Sequence, residues 1–415
     1  MPHLAAALIW TISLGSILLM LARPRGIAEA WWIGSGALLL VLTGLLPLAG
    51  AAHAIHEGVD VYLFLIGMML LAETARYEGV FDWVAGVAVS HARGSAARLF
   101  LLIYIAGTIV TVFLSNDATA VVLTPAVLAA VRRANVQSRP YLLICAFIAN
   151  AASFVLPISN PANLVIFDAR MPPLATWLRI FLLPSVASIL TTYFILYLLS
   201  RQQFTESVAD SPHVSPLAPA GKAALAGIAM AALVLLLASG LGWQLGAPTC
   251  AVGLLAVLMV TLRDRRAAFI VLRGVSWSIV PLVAGLFIIV EALNRGGMLH
   301  LAERGLRWAA TLPALACKLV AGFAVALLSN GMNNLPVGLA SGSALRHAQM
   351  SVAIQHAVLV GVDLGPNLSV TGSLATILWL IALRREGVEI TGREFLKAGM
   401  VAMPIALLAS LLALF

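Results

Sequence analysis

Apolar runs close to the ~20 residues that a helix needs to cross a bilayer recur along the whole chain. Inside a bilayer, backbone polar groups must bond within their own segment, so such a chain can fold only as a bundle of helices. Charged residues make up 10% of the chain and hydrophobic residues 61%, far from the roughly 25% charged residues of soluble domains. The expected class is an all-α polytopic membrane protein. A net charge of +8 could suggest nucleic acid in a soluble chain, but here it reads as basic loops on one side of a membrane, with no nucleic-acid partner.

Membrane-crossing helices are expected at about 3–22, 32–49, 59–77, 140–167, 175–200, 222–240, 248–262, 275–294, 352–381 and 395–414. The first of these has no basic residue before it and is longer than the apolar core of a signal peptide, so it reads as a retained helix. Stretches 98–133 and 312–346 each hold two apolar arms of about 15 residues around a polar tip, Ser115-Asn116-Asp117 and Ser329-Asn330-Gly331-Met332-Asn333-Asn334. Arms of that length fall just short of a full crossing, which marks re-entrant hairpins, with pairs of full spans as the alternative.

The chain also repeats itself. Gly67-Met-Met-Leu-Leu-Ala-Glu73, with Gly79 following, recurs as Gly285-Leu-Phe-Ile-Ile-Val-Glu291, with Gly297 following. Phe113-Leu-Ser-Asn116 recurs as Leu327-Leu-Ser-Asn330, and Asn150 has a counterpart at Asp363. The lag drifts from 218 to 214 to 213 residues, as loop-length changes within a duplicated unit would produce. The division is therefore a first half at 1–200, a polar linker at 201–221 and a second half at 222–415. The linker carries three prolines and cannot bury a core.

Charge orients the repeat. An N-terminus outside puts 18 of the 25 basic residues on the cytoplasmic side, among them Arg132, Arg133, Arg263, Arg265 and Arg266. The Glu73 helix then runs inward and the Glu291 helix outward, so the repeat is inverted. Inverted repeats with polar groups near mid-membrane are the build of secondary transporters, whose solute sits between the halves. Segments 80–92 and 298–311 follow the paired glycines, are mildly amphipathic, and read as interfacial helices joining a moving part to a frame.

Charges deep in a bilayer are costly and mark function by default. Those inside spans or at tips are Glu73, Asp117, Glu291 and Asp363. Two broken helices accompany them: Pro157-Ile-Ser159-Asn160-Pro161-Ala-Asn163 and Asp363-Leu-Gly365-Pro366-Asn367, where glycine and proline interrupt the spans. Tips and breaks together supply Ser115, Asn116, Asn160, Asn163, Asn330, Asn333, Asn334, Ser369, Thr371 and Ser373, a set of neutral donors and acceptors suited to a small uncharged polyhydroxy solute. Asp117 and Asp363 are the natural proton carriers, because a carboxyl in low dielectric holds its proton more readily than in water. Each polar residue also has a structural reading. An Asn can cap backbone freed at a break, Asp117 can cap a hairpin, Asp363 can bond its own break, and Glu73 and Glu291 can pair within the frame.

Three scattered cysteines, Cys145, Cys250 and Cys317, form no CxxC and no metal-ligand spacing. There is no GxxxxGK[ST] for ATP, no HExxH and no GxSxG, so neither an ATPase nor an intramembrane hydrolase is expected, and no cofactor.

At these residues the chain resembles the ArsB family of arsenite/antimonite efflux transporters, within the ion transporter superfamily. The resemblance lies in Ser115-Asn-Asp-Ala-Thr-Ala-Val-Val-Leu-Thr-Pro125, Ile158-Ser-Asn-Pro-Ala-Asn163, Gly331-Met-Asn-Asn-Leu-Pro336 and the run from Gly361 to Thr376. It implies export of neutral As(OH)₃ or Sb(OH)₃ from the cytoplasm across the inner membrane in exchange for protons, alone or, in some systems, with a separate soluble ATPase subunit. It also implies a scaffold and a transport domain moving as an elevator, with Asp117 and Asp363 matching acidic positions of the family pattern. Two departures bear on selectivity: Ser115 stands where the family has Ala, and Pro161 is an extra proline in the first break. The rival readings are a sodium- or proton-coupled carrier of a small carboxylate or of sodium itself, and a gated channel for uncharged solutes.

Overall fold

The computed structural model describes residues 2–167, 171–204, 208 and 216–414. Every regular element among them is helical. By length and composition, seven helices can cross a membrane, or eight if Leu48–Glu57 and Val59–Tyr77, bent by 47° at Gly58, form one span. Ten residues of the expected linker, 205–207 and 209–215, lie outside the described residues; the next helix starts at Pro219.

The two repeats are visible element by element. Val59–Tyr77 and Ile279–Arg295 carry Glu73 and Glu291, and each is followed by a short helix, Val80–His91 or Met298–Ala309. Both short helices begin at a glycine with positive φ, Gly79 at +71° and Gly297 at +92°. Only glycine takes that conformation without strain, which is why the pair recurs. A hairpin follows in each repeat, then a broken helix, then a long helix with an internal proline, Pro184 in Leu174–Ser200 and Pro404 in Gly392–Leu412.

The frame is built by exchange between repeats. Val59–Tyr77 packs along Gly246–Thr261 from the second half, and Ile279–Arg295 packs along Glu29–Leu42 from the first. Lipid is as apolar as leucine, so these helices gain from close approach rather than from leaving water. Glycines allow it. A Cβ on Gly67 would run into the Thr249 backbone, one on Gly253 would meet Gly67, and one on Gly285 would meet Ile33. Gly67→Leu is therefore expected to lower stability by about 3 kcal/mol or more through overpacking. A thermal-unfolding comparison in detergent would show it, with Gly15→Leu, which has open space around it, as the harmless control.

The expected spans are found, with corrections. The apolar run at 32–49 divides into Glu29–Leu42 and a separate helix, Leu48–Glu57, because Pro47 starts a new helix. Its counterpart in the second half, Ala267–Gly274, ends at Val275 before Ile279–Arg295 begins. The first arms of the hairpins, Ala96–Phe113 and Ala314–Met332, run 18 and 19 residues, longer than the arms of about 15 expected. Each tip nevertheless stops beside a broken helix. The Ser159 hydroxyl donates to the Val112 carbonyl at 3.0 Å, and the Asn330 amide donates to the Gly365 carbonyl at 2.9 Å.

Candidate functional site

Four helix N-termini meet at the two tips and two breaks, and each is capped by a residue picked out in the sequence. Ser115 Oγ accepts from the Ala118 amide at 3.1 Å, and Asn160 Oδ1 from the Ala162 amide at 3.0 Å. Asn333 Oδ1 accepts from Leu335 N at 3.4 Å, and Ser373 Oγ from Thr376 N at 3.1 Å within a capping box. These oxygens satisfy backbone donors that a broken membrane helix would otherwise leave bare. Asn333 does so at φ +77°, a region that costs an L-residue ~1–3 kcal/mol. The second tip is thus the strained one.

The groups divide into three sets by what they touch. In the first, Asp363 and Asn150 form the centre of a buried network that crosses the repeats. Asp363 Oδ1 accepts from the Asn160 amide at 2.9 Å, and Oδ2 from the Ser153 hydroxyl at 2.8 Å. Its counterpart Asn150 accepts on Oδ1 from Ser373 at 3.3 Å and donates from Nδ2 to Asn367 Oδ1 at 3.0 Å. Asn160 and Ser373 are themselves 213 residues apart, the same lag as Asn150 and Asp363. One motif is used twice, each break bonding the other repeat's polar centre. The side chains of Asp363, Asn150, Ser153 and Asn367 are fully buried.

The Ser153 hydroxyl has one hydrogen and two acceptors in reach, Asp363 Oδ2 and the Asn150 carbonyl at 2.7 Å. A proton on Asp363 Oδ2 would supply the missing hydrogen, leaving Ser153 free to donate to Asn150. Asn163 lies behind the first break. Its Nδ2 donates to the carbonyls of Ser153, Leu156 and Pro157, while its Oδ1 is buried with no partner among the described residues.

The second set ties the second tip to the second break. Asn330 Nδ2 donates to the carbonyls of Ala326 and Gly365, and its Oδ1 accepts from the Ser369 amide and hydroxyl. Thr371 donates to the Asn330 carbonyl at 2.9 Å, and the Asn333 amide to the Thr371 carbonyl at 3.4 Å. Asn330 is thereby saturated, whereas no hydrogen bond among the described residues engages the buried Asn334 side chain.

The third set borders a cavity of about 40 Å³ between the frame and the first tip. Ser115, Asp117 and Ala118 line it from the hairpin, Pro161 and Leu378 from the broken helices, and Glu73, Val275 and Ser276 from the frame. Asn116 is buried behind it, with Oδ1 on the Asp117 amide at 2.9 Å. The Asp117 carboxylate has no hydrogen bond or ion pair among the described residues. None of the cysteines and no Arg, Lys or His lines the cavity. Glu73 is held by Arg76, at 2.6 Å, and Glu291 by Arg295, at 3.1 Å. The repeated glutamates are therefore paired with arginines one turn on.

A second cavity, of about 70 Å³, occupies the equivalent place in the other repeat. It is lined by Glu291 and Val61, the counterparts of Glu73 and Ile279, and by Leu339, Ser343 and Arg346 of the second hairpin. Those hairpin residues lie one to three turns past the tip, so this cavity does not reach Asn333, whereas the first reaches Ser115 and Asp117. Sequence reading left Ser153 out of the site and noted Asn150 only as the counterpart of Asp363. The repeat lag was the signal for Asn150; nothing in the sequence marks Ser153.

Comparison with known proteins agrees with this architecture. The chain is 28% identical over 422 residues to the arsenical pump membrane protein of Escherichia coli K12, covering 96% of each chain. It is 26% identical over 414 residues to the arsenical pump membrane protein of Yersinia enterocolitica, again covering 96% of each. Its fold is similar to that of the Alcanivorax borkumensis YdaH transporter, with a TM-score of 0.58 at 16% identity, over 99% of this chain and 97% of that one. The sequence profile of CitMHS, described as citrate transporter, matches residues 11–362. The chain belongs to the citrate transporter family.

Proposed function

We propose that this protein is a secondary transporter that extrudes neutral trivalent arsenite or antimonite from the cytoplasm in exchange for protons. The observation that carries the reading is the lining of the cavity at the first tip: one unpaired carboxylate, two serine hydroxyls, no cationic side chain and no thiol. A volume of about 40 Å³ takes roughly three water-sized spheres at ~10–15 Å³ each. That suits As(OH)₃, a single central atom with three hydroxyls. Citrate is far larger and brings three carboxylates, which would want arginine or lysine around them.

Asp117 then serves as both hydroxyl acceptor and proton site, with Asp363 as a second proton site behind it. Export follows if protonation and solute occupancy alternate. An elevator movement of the hairpins and broken helices against the frame would carry the site from one face to the other. The equivalent cavity in the second repeat offers the opposite exit. With the arginine-rich loops in the cytoplasm, the first cavity belongs to the inner side, the N-terminus lies outside, and the protein resides in the inner membrane. A soluble ATPase subunit is not required by this scheme.

A second reading, a sodium- or proton-coupled carrier of a small carboxylate, draws support from the family's description as citrate transporter and from the four helix N-termini, which favour anions. Uptake into proteoliposomes of purified protein separates the two. Arsenite uptake that excess citrate leaves unchanged is the expected result, whereas citrate uptake with no arsenite uptake would establish the carboxylate carrier.

Thiolate coordination of the metalloid has its own test. Cys145 and Cys317 are buried and Cys250 half-buried, away from the cavity. The triple Cys→Ser variant is therefore expected to transport arsenite within about twofold of the parent; complete loss in folded protein would contradict the hydroxyl-binding site.

A further inference from the structure

Two buried polar atoms without partners belong to residues that line the second cavity, the one of about 70 Å³. Arg346 Nη1 is a donor and Asn294 Oδ1 an acceptor, and neither has a hydrogen bond among the described residues. They come from opposite sides of a seam. Arg346 sits in the last turn of Asn334–Ala348, the returning arm of the second hairpin, and Asn294 in the last turn of the frame helix Ile279–Arg295. A buried polar group left unpaired is costly, and no group lining the first cavity is in that state. A donor and an acceptor stranded in one cavity fit a ligand that offers the complement of each.

The charges around them narrow its chemistry. Three carboxylates share the lining, and each is engaged: Glu291 by Arg295 at 3.1 Å, Glu57 by His53 at 3.3 Å, and Asp60 by the Gly246 amide at 2.7 Å. Arg346 has no ion pair among the described residues. The three acidic groups disfavour an anion and Arg346 disfavours a cation. A neutral hydroxide suits both orphans, because one hydroxyl oxygen can accept from Arg346 while another hydroxyl donates to Asn294. The volume takes roughly five to seven water-sized spheres at ~10–15 Å³ each, more than the first cavity, so the same solute fits with room to spare.

The two cavities also adjoin. Along Val59–Tyr77, Leu65 lines the first and Val61 the second, one helical turn apart. Along Pro161–Phe167, the helix after the first break, Pro161 lines the first and Leu164 the second. They are neighbouring stations on one seam between frame and hairpins.

We propose that the second cavity is a release station for the transported solute, held there by Arg346 of the hairpin and Asn294 of the frame. This rests on the reading of the protein as an exporter of a neutral metalloid hydroxide. The station binds more weakly than the first tip and faces the outer side.

Everted membrane vesicles test it, since their lumen stands for the outer side. Unlabelled arsenite is preloaded at a series of concentrations, and the initial rate of radiolabelled arsenite uptake is read against each. Two constants follow: the luminal concentration that gives half its effect, and KM for arsenite in the medium. Arg346→Gln should raise the first about tenfold, the loss of one hydrogen bond to a charged group, and leave KM within about twofold. Asn294→Ala should shift the same constant, and stands in if the arginine variant is not recovered in the membrane. An unchanged luminal constant in both variants, as a cavity filled by water alone would give, overturns the proposal. So does a KM that rises in step with the luminal constant, the mark of a general structural defect. Parent vesicles that take up no arsenite would overturn the transport reading itself, and the release station with it.

Discussion

Asp117→Asn is expected to reduce proton-coupled arsenite transport to background while the protein stays folded in the membrane. The substitution keeps the shape of the side chain and removes its ability to cycle a proton. Fold should survive because capping of the helix after the first tip is done by Ser115 and Asn116, not by the Asp117 carboxylate. What Asn forfeits there is the attraction between a carboxylate and the helix N-terminus, ~0.3–1 kcal/mol. Transport assayed beside a thermal-unfolding curve separates the outcomes. An unchanged melting temperature with lost transport is the expected pair. Full transport would remove Asp117 from the mechanism and reduce it to a structural residue of the tip.

Asp363 calls for two substitutions with opposite expectations. Asp363→Leu should be destabilising, because it strands the buried Asn160 amide at ~1–3 kcal/mol and leaves the Ser153 hydroxyl only the Asn150 carbonyl. Asp363→Asn should fold normally. Its amide nitrogen can donate to Ser153 and its oxygen can accept from Asn160, the pattern of a protonated aspartic acid. The counterpart position already holds Asn150 in an equivalent network. Transport in the Asn variant is expected to lose its dependence on a pH gradient, because the site is held in a proton-loaded form. Coupling that persists in Asp363→Asn would leave Asp117 as the proton carrier by itself and give Asp363 a purely structural role.

The repeat was legible because inverted duplication keeps special residues at one lag. Gly67 and Gly285 recur where a neighbouring helix comes too close for a Cβ, Gly79 and Gly297 where φ is positive, and Asn116 and Asn330 where a side chain bonds backbone at a tip. The tips and breaks were legible for a related reason: proline, glycine and asparagine inside apolar runs have few other uses. Depth along a helix can be read from sequence, but rotation cannot. Asp117 and Asp363 look alike in sequence, yet one faces a cavity and the other a packed network. The partners that decide this, Ser153 and Asn160, are more than 200 residues from Asp363.

Length misled in two places. Pro47 separates two helices that the apolar run at 32–49 joins, and the first hairpin arms run 18 and 19 residues where about 15 were expected.

The central claim, exchange of a proton for a neutral metalloid hydroxide, is tested most directly in everted membrane vesicles with the lumen made acidic. Arsenite accumulation should rise with the imposed gradient and collapse when the gradient is dissipated. Accumulation that ignores the gradient in vesicles containing folded protein would contradict antiport.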